Sequence, residues 1–330
     1  MKKNVAVLGA TGAVGQEMMK VLYERGFPIG ELRPLASAKS AGRELPFGSD
    51  KVKVQEATPD AFKGVDIVLG AAENDIAMAL APAIKAAGAV FVDNSSAFRL
   101  DKDVPLIIPE INAADVHTHH GVIANPNCST IVTLMALYNI HKLSPIQTLV
   151  ASTYQAVSGA GANGPKELMA QVDALSKGES VQPSVFPYQI AYNLIPQIGG
   201  FTDNGYTSEE MKMQNEGRKI LHAPDMLVTC TCVRVPVVRS HSISATFVTK
   251  AQLSLEDVRE AVRTAPGCRL VDDPAAKRYP MPLETSDQDL VFVGRIRRDL
   301  TNPNGISLWC CGDQVRKGAA TNAVQIAELL

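Results

Sequence analysis

The chain has 330 residues, 46% of them apolar and 20% charged, which excludes a single small module and a disordered or collagen-like chain and leaves room for two domains. Lysine and arginine number 32 against 34 aspartates and glutamates, a balance that excludes a broad nucleic-acid or membrane surface and points to a small-molecule partner. No stretch has the length of an apolar membrane span, and Val5-Ala6-Val7-Leu8 is too short for the core of a signal peptide, so a cytoplasmic protein is expected. The six cysteines form no Cys-x-x-Cys pair, and the His117-Thr118-His119-His120 run has no carboxylate or thiol at ligand spacing, so no metal is expected.

From residue 4 to 125 short β-rich runs alternate with helical stretches. They are Val5–Leu8, a helix over Ala13–Glu24, Glu31–Ala36, Val65–Leu69, a helix over Asp75–Ala87, Val90–Asp93 and Val122–Ala124. This alternation predicts a doubly wound parallel sheet with crossover helices, an α/β, Rossmann-like domain. Gly9, Gly12 and Gly15 follow the first strand and run into the first helix. Glycine there permits a tight turn and lets a pyrophosphate approach main-chain amides at a helix N-terminus. A glycine-rich turn that binds nothing is the alternative. Where an NAD-binding domain carries an acidic residue at the end of its second strand, this chain has Ser37-Ala38-Lys39-Ser40. Two hydroxyls and a cation suit a 2′-phosphate, so NADP is preferred over NAD.

Beyond residue 128 the texture changes. A helix over Ser129–His141 precedes strand-like Gln147–Gln155, a Gly/Ala/Pro loop over Ser158–Pro165 and a helix near Lys166–Ser176. Residues 181–206 show no periodicity; a helix capped by Thr207 or Ser208, with Glu210 close behind, follows. Thr229–Val235, Ile243–Lys250, Val291–Ile296 and Ile306–Cys310 alternate in the manner of a largely antiparallel sheet, giving an α+β second domain. The expected boundaries are 1–127 for the nucleotide domain and 128–312 for the second, with helical 313–330 returning to the first.

Cys128 lies in Asn125-Pro126-Asn127-Cys128-Ser129-Thr130, between a strand end and an apolar helix. A thiolate there is stabilised by free amides and the helix dipole, as a nucleophile requires; a small buried residue beside an N-cap is the alternative. Arg234 and His241 offer a carboxylate anchor and a proton-exchanging group. Seven residues apart, they would face opposite sides of a straight strand, and a bend at Pro236 would bring them together. A surface arginine and an unrelated histidine remain the alternative. Glu216 and Lys219 share a helix face, as a solvated ion pair would, and Arg99 follows a strand where it could hold an anion.

With these residues in view, the chain resembles the aspartate-semialdehyde dehydrogenase family over nearly all its length. The resemblance rests on Gly9-Ala10-Thr11-Gly12-Ala13-Val14-Gly15, Asp93-Asn94-Ser95-Ser96-Ala97-Phe98-Arg99, Asn125-Pro126-Asn127-Cys128, Gln155 with Ser158-Gly159, Glu216 to Lys219, and Arg234 with His241. It implies an NADP-dependent enzyme, a homodimer or dimer of dimers, on the route from aspartate to lysine (through diaminopimelate), threonine and methionine. The implied reaction is reductive dephosphorylation of L-4-aspartyl phosphate to aspartate 4-semialdehyde and phosphate. By resemblance, Cys128 becomes the acylated nucleophile, His241 the acid/base, Gln155 an orienting group and Arg234 the anchor for the substrate α-carboxylate. Arg99 and Lys219 would bind the phosphoryl group and Glu216 the substrate. Gly9, Thr11, Gly12, Ala13, Val14, Lys39, Ser40, Ser158, Gly159 and Gln314 would contact NADP. Family members often have arginine where Lys39 stands, and lysine lacks the two-pronged grip. Two other readings are an N-acetylglutamyl-phosphate reductase and an inactive nucleotide-binding paralogue. A scaffold has no need of Cys128, Gln155, Arg234 and His241 together.

Overall fold

In the computed structural model, which describes residues 1–330, the apolar N-terminal run is β1 (Lys3–Leu8) and the glycine turn leads into α1 (Ala13–Glu24). There follow β2 (Ile29–Ala36), a hairpin of β3 (Glu44–Phe47) and β4 (Asp50–Lys53), β5 (Gln55–Glu56), β6 (Ile67–Gly70), α2 (Asn74–Ala86), β7 (Val90–Asp93), α3 (Pro109–Asn112) and β8 (Val122–Ala124). Six of these strands form a parallel sheet in the order β5-β2-β1-β6-β7-β8. The chain winds outward from β1 in one direction and from β6 in the other, so the order reverses beside β1, whose C-terminal end carries the glycine turn. Val5 to Leu8 are all buried because both faces of the sheet are covered, which explains a continuous apolar run in place of alternation.

Met18, Met19, Val21 and Leu22 turn the inner face of α1 into the same core as Ala323, Val324, Ile326 and Ala327 of the C-terminal helix, Thr321–Glu328. Arg25 closes this pairing with two bonds to Glu328, each of 2.7 Å. The chain therefore divides into one compact unit of residues 1–127 with 319–330, and another of residues 128–318. The expected helix over 313–330 is shorter: residues 316–320 form a π-helical turn and the α-helix begins at Thr321. Residues 313–318 lie in the second unit because Asp313 accepts from Arg239 at 2.5 Å and from the Asp287 amide at 2.6 Å.

The second unit consists of α4 (Cys128–Leu143), β9 (Ile146–Gln155), α5 (Asn163–Ser176), α6 (Ser208–Ile220), β10 (Leu227–Arg234), β11 (His241–Thr249), α7 (Leu255–Arg263), β12 (Cys268–Leu270), α8 (Pro282–Thr285), β13 (Val291–Arg298) and β14 (Gly305–Gly312). Its sheet runs β10-β9-β11-β14-β13-β12. The middle is antiparallel, but β10 pairs with β9 and β12 with β13 in parallel, so the sheet is mixed where a largely antiparallel one was expected. The long passage through α5 and α6 between β9 and β10 supplies the crossover that parallel pairing needs. α4, α6 and α7 pack on one face. The other face, with Thr148, Val150, Ser152 and Tyr154 of β9, Thr229 and Thr231 of β10 and Thr246 of β11, is partly open. Thr207 and Glu210 form a reciprocal capping box on α6, and Ser254 with Asp257 does the same for α7, a helix the sequence reading missed although its cap was there to be read. No helix is long and apolar enough to cross a membrane.

Candidate active site

Three neighbouring strands of the second unit bring three of the candidate residues to one end of the sheet. β9 ends at Gln155 and β10 at Arg234, and these two are register partners. β11 runs antiparallel to β9 and begins at His241, with Ser242 opposite Tyr154. The expected bend within one stretch is thus replaced by two separate strands with β9 between them. Both side chains flank Gly159, where a Cβ would stand 2.7 Å from Arg234 Nη1 and 3.1 Å from His241 Cε1.

Cys128 is the first residue of the 16-residue α4 and is half-buried, whereas Cys230, Cys232, Cys310 and Cys311 are buried. Gly318 lies against it; a Cβ there would approach the Cys128 Cβ to 3.0 Å. The next residue, Ser129, accepts a 2.8 Å bond from Gln155 Nε2, so the start of α4 is tied to the end of β9. Arg234 is buried, its Nη1 donating to the Ala156 carbonyl at 2.7 Å and its guanidinium 6.0 Å from the Phe186 ring centroid. Burial pushes its pKa down, and the negative charges of Cys128 and Glu209 oppose that shift. A helix N-terminus beside an arginine is the environment in which thiolates are stabilised.

His241 is fully buried. Its Nδ1 accepts the Ala156 N–H at 3.1 Å, while Nε2 meets no hydrogen-bonding group of the chain. A ring nitrogen that accepts carries no proton, so the neutral ring holds its proton on Nε2. Burial, and then the charge of Arg234, push the histidine pKa down to about 3. The arrangement therefore presents a neutral imidazole with a donor and no free acceptor.

Glu209 and Lys212 were missed from the sequence. Glu209 is buried; its Oε1 accepts from Gln155 Nε2 at 3.3 Å and its Oε2 from Lys212 at 2.9 Å. The Glu-x-x-Lys spacing of Glu216 and Lys219 occurs here one heptad earlier on α6. Seven residues of helix displace the second pair by about 10 Å along the axis, and it is Glu209 whose bond to Gln155 ties α6 to the strand ends. Ser158 and Gln314 are joined to each other by a Gln314 Nε2 to Ser158 Oγ bond.

In the first unit, Gly9 has φ +80°, and a Cβ there would stand 2.5 Å from the Ala71 carbonyl oxygen, so only glycine fits the turn. Gly12 is the N-cap of α1, with no side-chain cap and no acidic residue in the first turn. Free amides and an uncompensated dipole make that terminus suited to a pyrophosphate. Lys39 is exposed in the 3-10 turn Ala38–Ser40 that follows β2. The residues present thus fit a dinucleotide with a 2′-phosphate. Arg99 is buried, giving Nε to the Asn125 carbonyl at 2.9 Å and Nη2 to that of Asn94 at 2.8 Å, which braces the ends of β7 and β8. No group of three or more His, Cys, Asp or Glu side chains is gathered as a metal would require.

A model of the semialdehyde dehydrogenase NAD binding domain matches residues 4–119, and one of the semialdehyde dehydrogenase dimerisation domain matches residues 137–317. Aspartate-semialdehyde dehydrogenase of Bacillus subtilis is 48% identical, covering 99% of this chain and 97% of its own. The chain belongs to the aspartate-semialdehyde dehydrogenase family. Among solved aspartate-semialdehyde dehydrogenases, the second enzyme of Vibrio cholerae, complexed with ASA, superposes with a TM-score of 0.97 at 43% identity, over 100% of this chain and 98% of its own. The Candida albicans aspartate-semialdehyde dehydrogenase with NADP gives 0.78 at 25% identity, over 100% and 98%. Membership in the aspartate-semialdehyde dehydrogenases does not favour the N-acetylglutamyl-phosphate reductase reading or that of an inactive paralogue.

Proposed function

We propose that this family member catalyses the NADPH-dependent reductive dephosphorylation of L-4-aspartyl phosphate to L-aspartate 4-semialdehyde, in the cytoplasm, for lysine, threonine and methionine synthesis. The observation that carries the reading is the row of Gln155, Arg234 and His241 at adjoining strand ends, with Cys128 heading the helix tied to the same end.

In this reading the Cys128 thiolate attacks the acyl carbon; the S–C bond forms, the C–O bond breaks, and phosphate leaves to take a proton from water. NADPH, when bound at the α1 terminus with Lys39 and Ser40 at its 2′-phosphate, supplies the hydride that reduces the thioester. The S–C bond then breaks, the electron pair returns to sulfur and the aldehyde is released. Arg234 grips the α-carboxylate, and Glu209, in place of Glu216, takes the α-ammonium group as the buried opposite charge beside it. Lys212, in place of Lys219, takes the phosphoryl group. His241 donates from Nε2 to the carbonyl oxygen wherever it gains negative charge, and no step asks it for a base. Gln155 holds Ser129 and Glu209 in place.

The test is the reverse reaction. Aspartate semialdehyde, NADP and phosphate together give NADPH; omission of phosphate, or replacement by N-acetylglutamate semialdehyde, gives none. NADPH formed without phosphate sinks the phosphorylating reading.

The partner in the assembly is a second copy, through the open β9-β10-β11 face. Support comes from the dimerisation-domain match over residues 137–317 and from the partly exposed Val150 (46%) and Thr side chains on that face. Pairing of such dimers would give a tetramer. Val150→Asp should leave a monomer in sedimentation; an unchanged mass removes this face from the interface.

A further inference from the structure

The chain enters β11 through a backbone conformation that side-chain-bearing residues rarely adopt. Ser240, immediately before His241, has φ +73° and is fully buried. A non-glycine residue persists there only when its surroundings hold it. Its N–H donates to Gln314 Oε1 at 2.9 Å, and its hydroxyl lies 2.6 Å from that of Thr285, the last residue of α8. The Thr285 hydroxyl donates to the Met281 carbonyl at 3.1 Å, so in the shared bond Ser240 is the donor.

The clamp extends to the histidine from its other side. Gln314 passes its Nε2–H to Ser158, and the Ser158 loop is stitched to the connection between β10 and Ser240 by Val157 N–H to Val237 O at 2.8 Å. The same loop supplies the Ala156 amide that fixes His241 Nδ1 and the Gly159 backbone that abuts its ring. Turn, amide bridge, loop and imidazole thus form a closed circuit. Ser158 and Gln314 hold this circuit whether or not they also touch a nucleotide. Glycine at 240 would take the same φ freely but would leave the turn without its anchor on Thr285.

We propose that Ser240 is a positioning residue, whose left-handed backbone, clamped by Thr285 and Gln314, sets the rotation of the His241 ring against the Ala156 amide. The consequence for turnover rests on the reading of His241 as the donor to the reacting oxygen. Ser240→Gly, which suits the backbone and so keeps the fold, and Thr285→Val each remove the hydroxyl bond. Both should lower kcat for aspartate-semialdehyde oxidation about tenfold with KM changed less than about twofold. The double variant should fall no lower than either single, and Thr285→Ser should restore the rate. Nitrogen NMR of histidine-labelled protein reads the ring without any substrate. Wild type should show His241 protonated on Nε2 alone, and the Ser240→Gly and Thr285→Val spectra should show that tautomer mixed or exchanging. Ser240→Gly as fast as wild type, losses that multiply in the double variant, or a lowered Tm with the His241 signals unmoved would overturn the assignment. If wild type itself turns over no aspartate semialdehyde, the functional reading fails, and the NMR comparison still decides the clamp.

Discussion

His241 should make the second unit sensitive to mild acid. In the fold its pKa is pushed from 6.5 down to about 3, whereas in the unfolded chain it titrates near its ordinary value. As pH falls the unfolded state therefore binds the proton first, and stability complete above pH 6.5 drains away toward pH 3. At pH 5 the difference is RT ln[(1 + 10^1.5)/(1 + 10^−2)], or about 2 kcal/mol. The comparison is with His241→Asn, whose Oδ1 can accept the Ala156 N–H in place of Nδ1 but cannot titrate. Trp309, the only tryptophan, stands in β14 of the same unit, so its fluorescence during urea unfolding follows this unit. Between pH 7.5 and 5, wild type should lose about 2 kcal/mol more than the variant. His119 and His141, whose pKa values burial also lowers, are common to both proteins and cancel. Equal losses in the two proteins would show that His241 takes up a proton as readily in the fold as outside it, and the neutral donor would be lost with that result.

Four further outcomes are expected. Cys128→Ser should cut turnover by at least about a thousandfold while NADP still binds, and mass spectrometry of briefly mixed wild type should find the acyl adduct on Cys128 alone; an adduct elsewhere moves the nucleophile. Lys39→Ala should raise the KM for NADP about tenfold and leave that for NAD nearly unchanged, since it removes a contact to the 2′-phosphate only; equal changes would make Lys39 a support for the loop. Gly159→Ala should lower kcat/KM by about 10- to 100-fold, some 1.4 to 2.7 kcal/mol, because its methyl would enter the space of Arg234 Nη1 and the His241 ring. Arg234→Lys should impair both directions beyond rescue by phosphate, whereas Lys212→Ala should recover in part at high phosphate and Lys219→Ala should need no rescue; the opposite pattern for the two lysines would return the phosphate site to the end of α6.

Local physics made most elements readable. α1, β7 and β8 occur at the residues their patterns mark, Ala13–Glu24, Val90–Asp93 and Val122–Ala124, because a glycine turn, a buried parallel run and a following helix each leave a mark within a few neighbouring residues. The Thr207–Glu210 cap and the glycine turn at the start of α1 are local in the same way. Pairing partners are not local. That β10 would lie parallel to β9, with β11 on its other side, depends on where the α5–α6 passage returns the chain, and no alternation of side chains encodes it. The same limit explains the site. Cys128 was legible because the reason for its reactivity, a helix start, adjoins it in sequence. Glu209 and Glu216 stand seven apart on one helix with the same lysine spacing, so their sequence surroundings could not separate them; only the packing of α6 beside β10 brought Glu209 to Gln155. Likewise the state of His241 was set by the Ala156 amide, by Arg234 on another strand and by burial, three long-range facts. Sequence determined which chemical groups the protein has and which helices and strands carry them, since those follow from neighbouring residues. Tertiary structure decided which groups meet and in what protonation state, since desolvation and charge act through space and not along the chain.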